Sequence, residues 1–294
     1  MVTFRAHGQQ LGFVEGPVDL RDGGVVVTSI DHGWLYHLAD DEDEPTRYAR
    51  TGGGPNGATE GPDGRLYIAQ NAGVHPGVFD PTTPVGGVQV VDADREVSWV
   101  CQDPIWPNDL CFGPDGLLYV TDPTRTDANG TPVRNDGRLW RISPDDAQGQ
   151  LLTSLPWYPN GIGFGPEDDA VYVADTGGGR IVRFALDARG LGEHETFARL
   201  SHGGPDGFAF DADGNLYVCA IGLGGEPGDV EVFDRSGELV EVLSPGTGDT
   251  HYTNILITED GRVVLTSSKR EEILVTNDLD VAPLPLHPFR TPVG

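Results

Sequence analysis

Lysine is nearly absent from this sequence, since Lys269 is the only one among 294 residues. Aspartate and glutamate number 46 against 19 lysines and arginines, which gives a formal net charge of −27. A surface with this excess of negative charge repels phosphate backbones and anionic lipid headgroups. The composition therefore predicts that neither nucleic acid nor a membrane is a partner.

Cysteine and long apolar segments are also scarce. Cys101, Cys111 and Cys219 are scattered without a CxxC spacing, which is typical of buried strand residues in a reducing compartment. The N-terminal stretch MVTFRAHGQQ has no apolar signal region, and no apolar run is long enough to span a membrane. These absences predict a cytoplasmic protein without a disulfide framework or a zinc–cysteine site.

Glycine and proline, by contrast, are abundant, with 42 and 23 residues. Such a composition favours many short strands joined by tight turns. One short pattern recurs six times along the chain, with starts spaced by 41, 52, 52, 46 and 47 residues. The six segments are EGPVDLRDGGVVVTS (15–29), NGATEGPDGRLYIAQ (56–70), NDLCFGPDGLLYVTD (108–122), NGIGFGPEDDAVYVAD (160–175), DGFAFDADGNLYVCA (206–220) and TNILITEDGRVVLTS (253–267).

The internal spacing of each copy is constant, because an acidic turn residue follows the first residue by seven positions in all six. Each copy reads as a strand, a tight hairpin and a second strand, and two further alternating runs follow before the next copy. Four antiparallel strands repeated at this spacing are typical of a propeller blade. The sequence therefore predicts an all-β, six-bladed β-propeller as a single domain over residues 1–294. We expect VTFRA (2–6) to pair into the last blade and close the ring.

The first strand of a propeller blade lines the central channel, so the first residues of the six copies should face one another at its mouth. They are Glu15, Asn56, Asn108, Asn160, Asp206 and Thr253, with Asn254 beside the last. Asparagine and aspartate before glycine are also ordinary turn formers, but a glutamate is not. Carboxylate and amide oxygens suit Ca²⁺ or Mg²⁺, with Mn²⁺ possible, and two carboxylates match a dication. We therefore expect a metal site at the channel mouth.

Several motifs, in this order along the chain, resemble the senescence-marker-protein/gluconolactonase family: EGPV, PND, PNGIGFGPEDDAVYVADT and PDGFAFDADGNLYV. The resemblance extends from about residue 12 to 270. It implies a six-bladed propeller that hydrolyses lactones and holds one divalent cation, most commonly Ca²⁺, with Mg²⁺, Mn²⁺, Zn²⁺ or Fe²⁺ as other possibilities. Related enzymes that resemble diisopropyl-fluorophosphatase hydrolyse phosphotriesters.

The resemblance also implies roles for individual residues. Glu15, Asn160 and Asp206 match the metal ligands of the family, and Asn108 matches an asparagine that binds the metal or the substrate. Asp206 then acts as the general base, or as the nucleophile in a phosphotriesterase-like mechanism. Asn56, with Asn108, completes the polar residues that we expect to contact the substrate.

This chain departs from the family pattern at Trp106, where animal members have an arginine that binds sugar hydroxyls. Further aromatic residues precede two ring positions, namely Trp157 and Tyr158 before Asn160, and Tyr252 with the imidazole of His251 before Thr253. They favour a less hydroxylated ligand, contacted by Trp106, Tyr158 and His251. The alternative is that these side chains pack beneath loops, and His251 is either a proton shuttle or a structural histidine.

Two long segments, 71–87 and 123–137, are predicted loops that reach over the ring, with His75 and Arg125 as possible substrate contacts. Three functions stay open at this point. The leading one is a metal-dependent hydrolase of a small-molecule lactone or related ester; the others are a phosphotriesterase on the same site and a non-catalytic scaffold with a structural metal. The chain is expected to be a monomer or a small homo-oligomer.

Overall fold

The structure, a computed structural model, describes residues 2–72, 86–126, 132–145, 147–187 and 190–290. Within them, 24 strands form six four-stranded antiparallel sheets, which are the six predicted blades. The described residues contain no helix that is long and apolar enough to cross a membrane.

The blades follow one another along the chain, and in the first five the innermost strand comes first. Blades 1 to 3 contain β2 (Val14–Asp19), β3 (Val25–Ser29), β4 (Trp34–Leu38) and β5 (Thr46–Arg50); β6 (Pro55–Glu60), β7 (Leu66–Gln70), β8 (Gly87–Val91) and β9 (Val97–Cys101); and β10 (Leu110–Phe112), β11 (Leu118–Thr126), β12 (Pro132–Ser143) and β13 (Gln148–Leu155). Blades 4 to 6 contain β14 (Pro159–Phe164), β15 (Ala170–Asp175), β16 (Arg180–Asp187) and β17 (Gly190–Arg199); β18 (Gly204–Phe210), β19 (Leu216–Ile221), β20 (Asp229–Phe233) and β21 (Leu239–Leu243); and β22 (Tyr252–Ile257), β23 (Val263–Ser267), β24 (Glu272–Thr276) and β1 (Arg5–His7).

The turn between the first and second strands explains the constant spacing of the repeat. Glycine takes a positive φ at this turn in most blades, for example +73° at Gly64 and +75° at Gly116. Blade 4 lacks the glycine, and Asp168 adopts the left-handed conformation there with φ of 57°. Aspartate tolerates this region better than most residues. The predicted hairpins are therefore confirmed.

The hydrophobic core lies between neighbouring blades. A tyrosine on the second strand of one blade meets a phenylalanine on the first strand of the next at three successive interfaces. The centroid distances are 5.3 Å for Tyr67–Phe112, 5.1 Å for Tyr119–Phe164 and 4.9 Å for Tyr172–Phe210. Edge-to-face pairs of this kind contribute about 0.5–1.5 kcal/mol each beyond burial. The same aromatic contact thus joins blades 2, 3, 4 and 5 in succession.

The ring is closed by the N-terminus, as predicted. Strand β1 pairs with β24 in an antiparallel register, with Ala6 opposite Leu274. The pairing residues are 5–7, slightly later than the predicted 2–6. The three cysteines are all free, and two of them, Cys101 and Cys219, are buried.

The predicted loop at 123–137 is wrong over much of its length. Strands β11 and β12 extend to Thr126 and from Pro132, so most of this segment is a long β-hairpin. Residues 73–85 of the other predicted loop, including His75, lie outside the described residues, and so does the side chain of Arg125.

Candidate active site

The innermost strands of the six blades begin at the same face, where residues near the starts of five of them line a cavity of about 390 Å³. The predicted ring residues that line this cavity are Glu15, Asn56, Asn108, Asn160 and Asp206. These residues converge because six similar blades close around one axis, and the alternation of side chains along a strand does not account for it. The structure therefore brings all four predicted metal ligands together.

The two carboxylates at this mouth are almost fully buried, with 5% of Glu15 and 6% of Asp206 exposed. Burial, together with the charge of the nearby Asp109, raises the pKa of Glu15 to about 8. Burial also raises the pKa of Asp206 well above its ordinary value, with Glu15 and then Asp109 adding repulsion. Buried carboxylates that oppose one another's charge are stabilised by a bound cation.

Few protein groups compensate these charges. Glu15 accepts hydrogen bonds on Oε2 from the Gly16 backbone N–H at 3.2 Å and the Asn254 side-chain amide at 3.4 Å. The amide of Asn160 donates to Thr176 Oγ1 at 3.1 Å, and that hydroxyl donates to the Pro205 carbonyl at 2.7 Å. Thr176 therefore fixes Asn160 beside Asp206, where Asn160 lowers the pKa of that carboxyl.

Asp109 is a third channel carboxylate, which was not among the predicted site residues. It accepts hydrogen bonds from the backbone N–H groups of Leu110 at 2.8 Å and Ile162 at 3.4 Å. Desolvation in the channel raises the pKa of Asp109 to about 7. Asp109 lines a second, smaller cavity of about 110 Å³ on the far side of the ring from the mouth.

A signal for Asp109 was present in the repeat. The residue after each ring position is glycine in four blades, but it is Asp109 in blade 3 and Asn254 in blade 6. A Cβ atom at Gly57 would overlap the side chain of Asp109, and one at Gly207 would overlap Asn254. Glycine is therefore required at those positions because the narrow channel is filled by the side chains of the two exceptions.

Thr253 does not occupy the sixth ring position in the predicted way. It is fully buried, and its hydroxyl donates to the Val14 carbonyl at 3.0 Å and lies 2.6 Å from Ser268 Oγ. Thr253 therefore joins blade 6 to blade 1, and the amide of the adjacent Asn254 donates to Glu15. The short hydroxyl side chain, fitted between two strands, accounts for this difference.

The predicted substrate contacts Asn56, Trp106, Asn108, Tyr158 and His251 all line the cavity, together with apolar wall residues that were not predicted, namely Phe13, Ile30 and Ile221. Two other aromatic residues near the ring positions pack elsewhere. Trp157 lies against Phe184 in the core between blades 3 and 4, and Tyr252 is buried beside Thr247. Trp157 and Tyr252 therefore pack within the protein, which is the alternative to ligand contact given above.

His251 is half-buried at the cavity wall. Its Nδ1 lies 2.7 Å from Thr250 Oγ1, and its backbone N–H donates to Asp249 Oδ1 at 2.9 Å. Burial lowers the pKa of this imidazole, and the charge of Lys269 lowers it further. The ring is thus neutral at physiological pH and is held in place by its neighbours.

A second group that could hold a metal lies on blade 5, away from the cavity. Ligand atoms of His202, Asp229 and Glu231 all lie within 4.8 Å of one another. Both ring nitrogens of His202 already contact carboxylates, at 3.1 Å from Asp229 and 3.1 Å from Glu231. Glu231 also accepts hydrogen bonds from the Ser201 backbone and hydroxyl, so protein donors occupy much of this group.

Comparison with known proteins gives a match between residues 13–269 and the family described as the SMP-30/gluconolactonase/LRE-like region. A gluconolactonase of Zymomonas mobilis is 29% identical over 237 residues, which cover 76% of this chain and 63% of that protein. The match thus spans less than two thirds of this relative.

Solved structures with the same fold include a gluconolactonase from Xanthomonas campestris, with a TM-score of 0.73 and 23% identity over 95% of this chain and 87% of that one. A calcium-binding regucalcin from Agrobacterium tumefaciens has a TM-score of 0.73 and 18% identity, with 99% of this chain and 100% of that one covered. At these identities the two structures support the propeller architecture.

Proposed function

Because the chain belongs to the SMP-30/gluconolactonase/LRE-like family, we propose that it is a divalent-metal-dependent lactonase, which opens a small cyclic ester with water. The observation that carries this proposal is the convergence of two buried carboxylates and three amide side chains at the base of an open, partly apolar cavity. The lactonase names of its relatives support the same reaction class.

The donor set fits a hard cation. Glu15, Asn108, Asn160 and Asp206 would hold it, and every one of these side chains offers an oxygen ligand. The raised pKa values of Glu15 and Asp206 support this assignment, since no cationic side chain of the described residues is among the main groups that lower either pKa. We expect Ca²⁺ for an oxygen-only set, and the calcium-binding regucalcin supports that choice. A cation bound there supplies the positive charge that polarises the ester carbonyl.

Asp206 carries the proton transfer in this proposal. It takes a proton from the attacking water while the water oxygen bonds to the carbonyl carbon. The C–O bond of the ring then breaks, and the proton passes to the released alkoxide oxygen. The product is a hydroxy acid, formed with the consumption of one water molecule.

The walls of the cavity position the lactone. Asn56 and Asn108 present amides to the cavity, while Trp106, Tyr158 and His251 line its wall with Phe13, Ile30 and Ile221. The apolar and aromatic side chains of this wall favour a lactone with fewer hydroxyl groups than a sugar lactone. The apolar wall would also accommodate a phosphotriester, which is therefore the second candidate substrate.

The proposal is tested with a panel of sugar-derived, aliphatic and aromatic lactones and one phosphotriester, assayed by acid release before chelation, after chelation and after return of calcium. We expect lactone hydrolysis that chelation removes and calcium restores. Hydrolysis of the phosphotriester alone would replace the lactonase assignment, and no hydrolysis of any compound with calcium bound would favour a scaffold.

A further inference from the structure

Lys269 lines the same cavity as the carboxylates and amides, although it was not among the predicted site residues. It follows β23 on blade 6 and is exposed. Its ammonium group lies 5.3 Å from the centre of the Phe13 ring, which forms part of the apolar wall. The only lysine of the chain therefore presents its charge at the opening of the candidate active site.

No carboxylate of the described residues lies within 4.0 Å of this ammonium group, the limit for an ion pair. This is unusual for a chain with 46 acidic and 19 basic residues, in which cations such as Arg138, Arg180 and Arg262 pair with carboxylates. An aromatic face stabilises an exposed cation only modestly, by about 0.5–1 kcal/mol. Lys269 thus keeps its capacity to bind an anion.

The backbone that carries Lys269 is anchored. Asp249 is buried, and its Oδ2 accepts hydrogen bonds from Ser267 Oγ at 2.7 Å, the Lys269 N–H at 3.2 Å and the Arg270 N–H at 3.1 Å. These three hydrogen bonds connect the Asp249 carboxylate to the turn that contains Lys269. Asp249 therefore fixes where the lysine side chain leaves the backbone, so its charge is directed by a rigid turn.

The charge of Lys269 also acts inside the cavity, because it contributes to the lowered pKa of His251 on the same wall. The cavity then has two places that attract negative oxygen. One is the cation site at Glu15 and Asp206, and the other is the ammonium group at the opening. A ligand with two separated oxygen functions would satisfy both.

We propose that Lys269 recognises a carboxylate on the substrate, so that the preferred substrates are anionic lactones, the cyclic esters of hydroxy dicarboxylic acids. This inference rests on the proposed lactonase function. The ester carbonyl lies at the base of the cavity and the free carboxylate at Lys269, while the apolar wall contacts the ring carbons. Lys269 is a specificity-determining residue in this arrangement, since it does not touch the reacting bond.

The test compares 5-oxotetrahydrofuran-2-carboxylate with its primary amide, a neutral compound of nearly the same shape, as substrates of the calcium-loaded protein. We expect the kcat/KM of the wild type to favour the carboxylate by about tenfold or more, as for an interaction of about 1.4 kcal/mol. Lys269→Met should remove this preference, and Lys269→Arg should keep most of it. Arg270→Met is the matched control, because the neighbouring Arg270 pairs with Glu272 outside the cavity.

The outcomes separate this inference from the proposed function. Hydrolysis of neutral lactones without a preference for the carboxylate would overturn the role of Lys269 and leave the lactonase assignment intact. An equal carboxylate preference in wild type and Lys269→Met would also overturn it. Failure to hydrolyse either compound or any lactone of the wider panel would overturn the lactonase assignment, and this inference with it.

Discussion

Asp206 lies at the base of the cavity, where Glu15 and Asp109 both oppose its negative charge. Asp206→Asn keeps the size of the side chain but removes the proton acceptor, so lactone hydrolysis should fall by roughly 10²–10⁴-fold. The fold should persist, because the substitution removes a buried charge. Acid release and circular dichroism measure the two effects, and Asp213→Asn on the exposed turn of the same blade is the control.

A single turnover in ¹⁸O-labelled water separates the two roles of Asp206. A general base leaves the label in the product alone. A nucleophilic carboxylate forms an anhydride with the substrate acyl group, and it acquires the label when water opens that anhydride at the aspartyl carbon. Full activity of Asp206→Asn would contradict both roles.

Glu15 makes the affinity for calcium depend on pH. Its folded-state pKa of about 8 in the absence of a cation lies above the ordinary carboxylate value, so near pH 6 the group holds a proton that calcium must displace. Calcium should therefore bind more weakly near pH 6 than near pH 8, by up to about tenfold per pH unit for each proton released. Titration calorimetry in two buffers of different protonation enthalpy measures both the affinity and the released protons. A calcium affinity that does not change over this range would contradict the assignment of Glu15 as a ligand.

Residues at equivalent positions of the repeat could be predicted to meet at the channel mouth. The positions of residues outside this repeated position could not be predicted. Glu15, Asn108, Asn160 and Asp206 converge because each lies near the start of an equivalent strand. Asp109 was missed because its significance depends on the glycines of neighbouring blades. Lys269 lies beyond the last copy of the motif, in a turn whose position depends on Asp249.

Among the larger elements, the C-terminal segment after β24 has no counterpart in the repeat. It crosses the face opposite the cavity mouth, where Asp211 bridges to Pro283 and the Leu284 N–H donates to the Phe210 carbonyl at 3.4 Å. Further along, His287 contacts Asp168 at 2.8 Å, which ties the segment to blade 4. The sequence did not predict this segment because its contacts are with several blades and follow no period.

The contribution of this segment to stability can be measured with two leucines. Leu284 is 8% exposed and packs among core residues of blades 4 and 5, whereas Leu286 is 58% exposed. Leu284→Ala should lower the free energy of unfolding by about 2–4 kcal/mol. Leu286→Ala should change it by less than about 0.5 kcal/mol.

Denaturant unfolding of both leucine variants, monitored by tryptophan fluorescence, provides the values. Equal effects of the two substitutions would show that the segment is not docked as described.

Strands and their order were predictable because Asp-Gly turns and alternating runs mark them locally. The hairpin of β11 and β12 was interpreted as a loop, since its glycines, prolines and charges are typical of connections. Pairing between the two segments overrides these local preferences, and a single sequence does not show which residues will pair.

For the whole molecule, the central expectation is that one cation at the axis controls catalysis. The proposed channel site would draw its ligands from blades 1, 3, 4 and 5, so it would exist only in the closed ring. The group on blade 5, with His202, Asp229 and Glu231, is the competing location for a metal among the described residues. Replacing His202 leaves the channel ligands untouched, which allows the two locations to be separated.

The most direct measurement is a titration of chelated protein with calcium while lactone hydrolysis is followed, for the wild type and for His202→Ala. We expect activity to rise to a plateau at one calcium ion per chain in both proteins, and Glu15→Gln to need far more calcium for any activity. Activity that survives complete chelation, or that is lost in His202→Ala while Glu15→Gln remains active, would contradict a catalytic metal at the channel mouth.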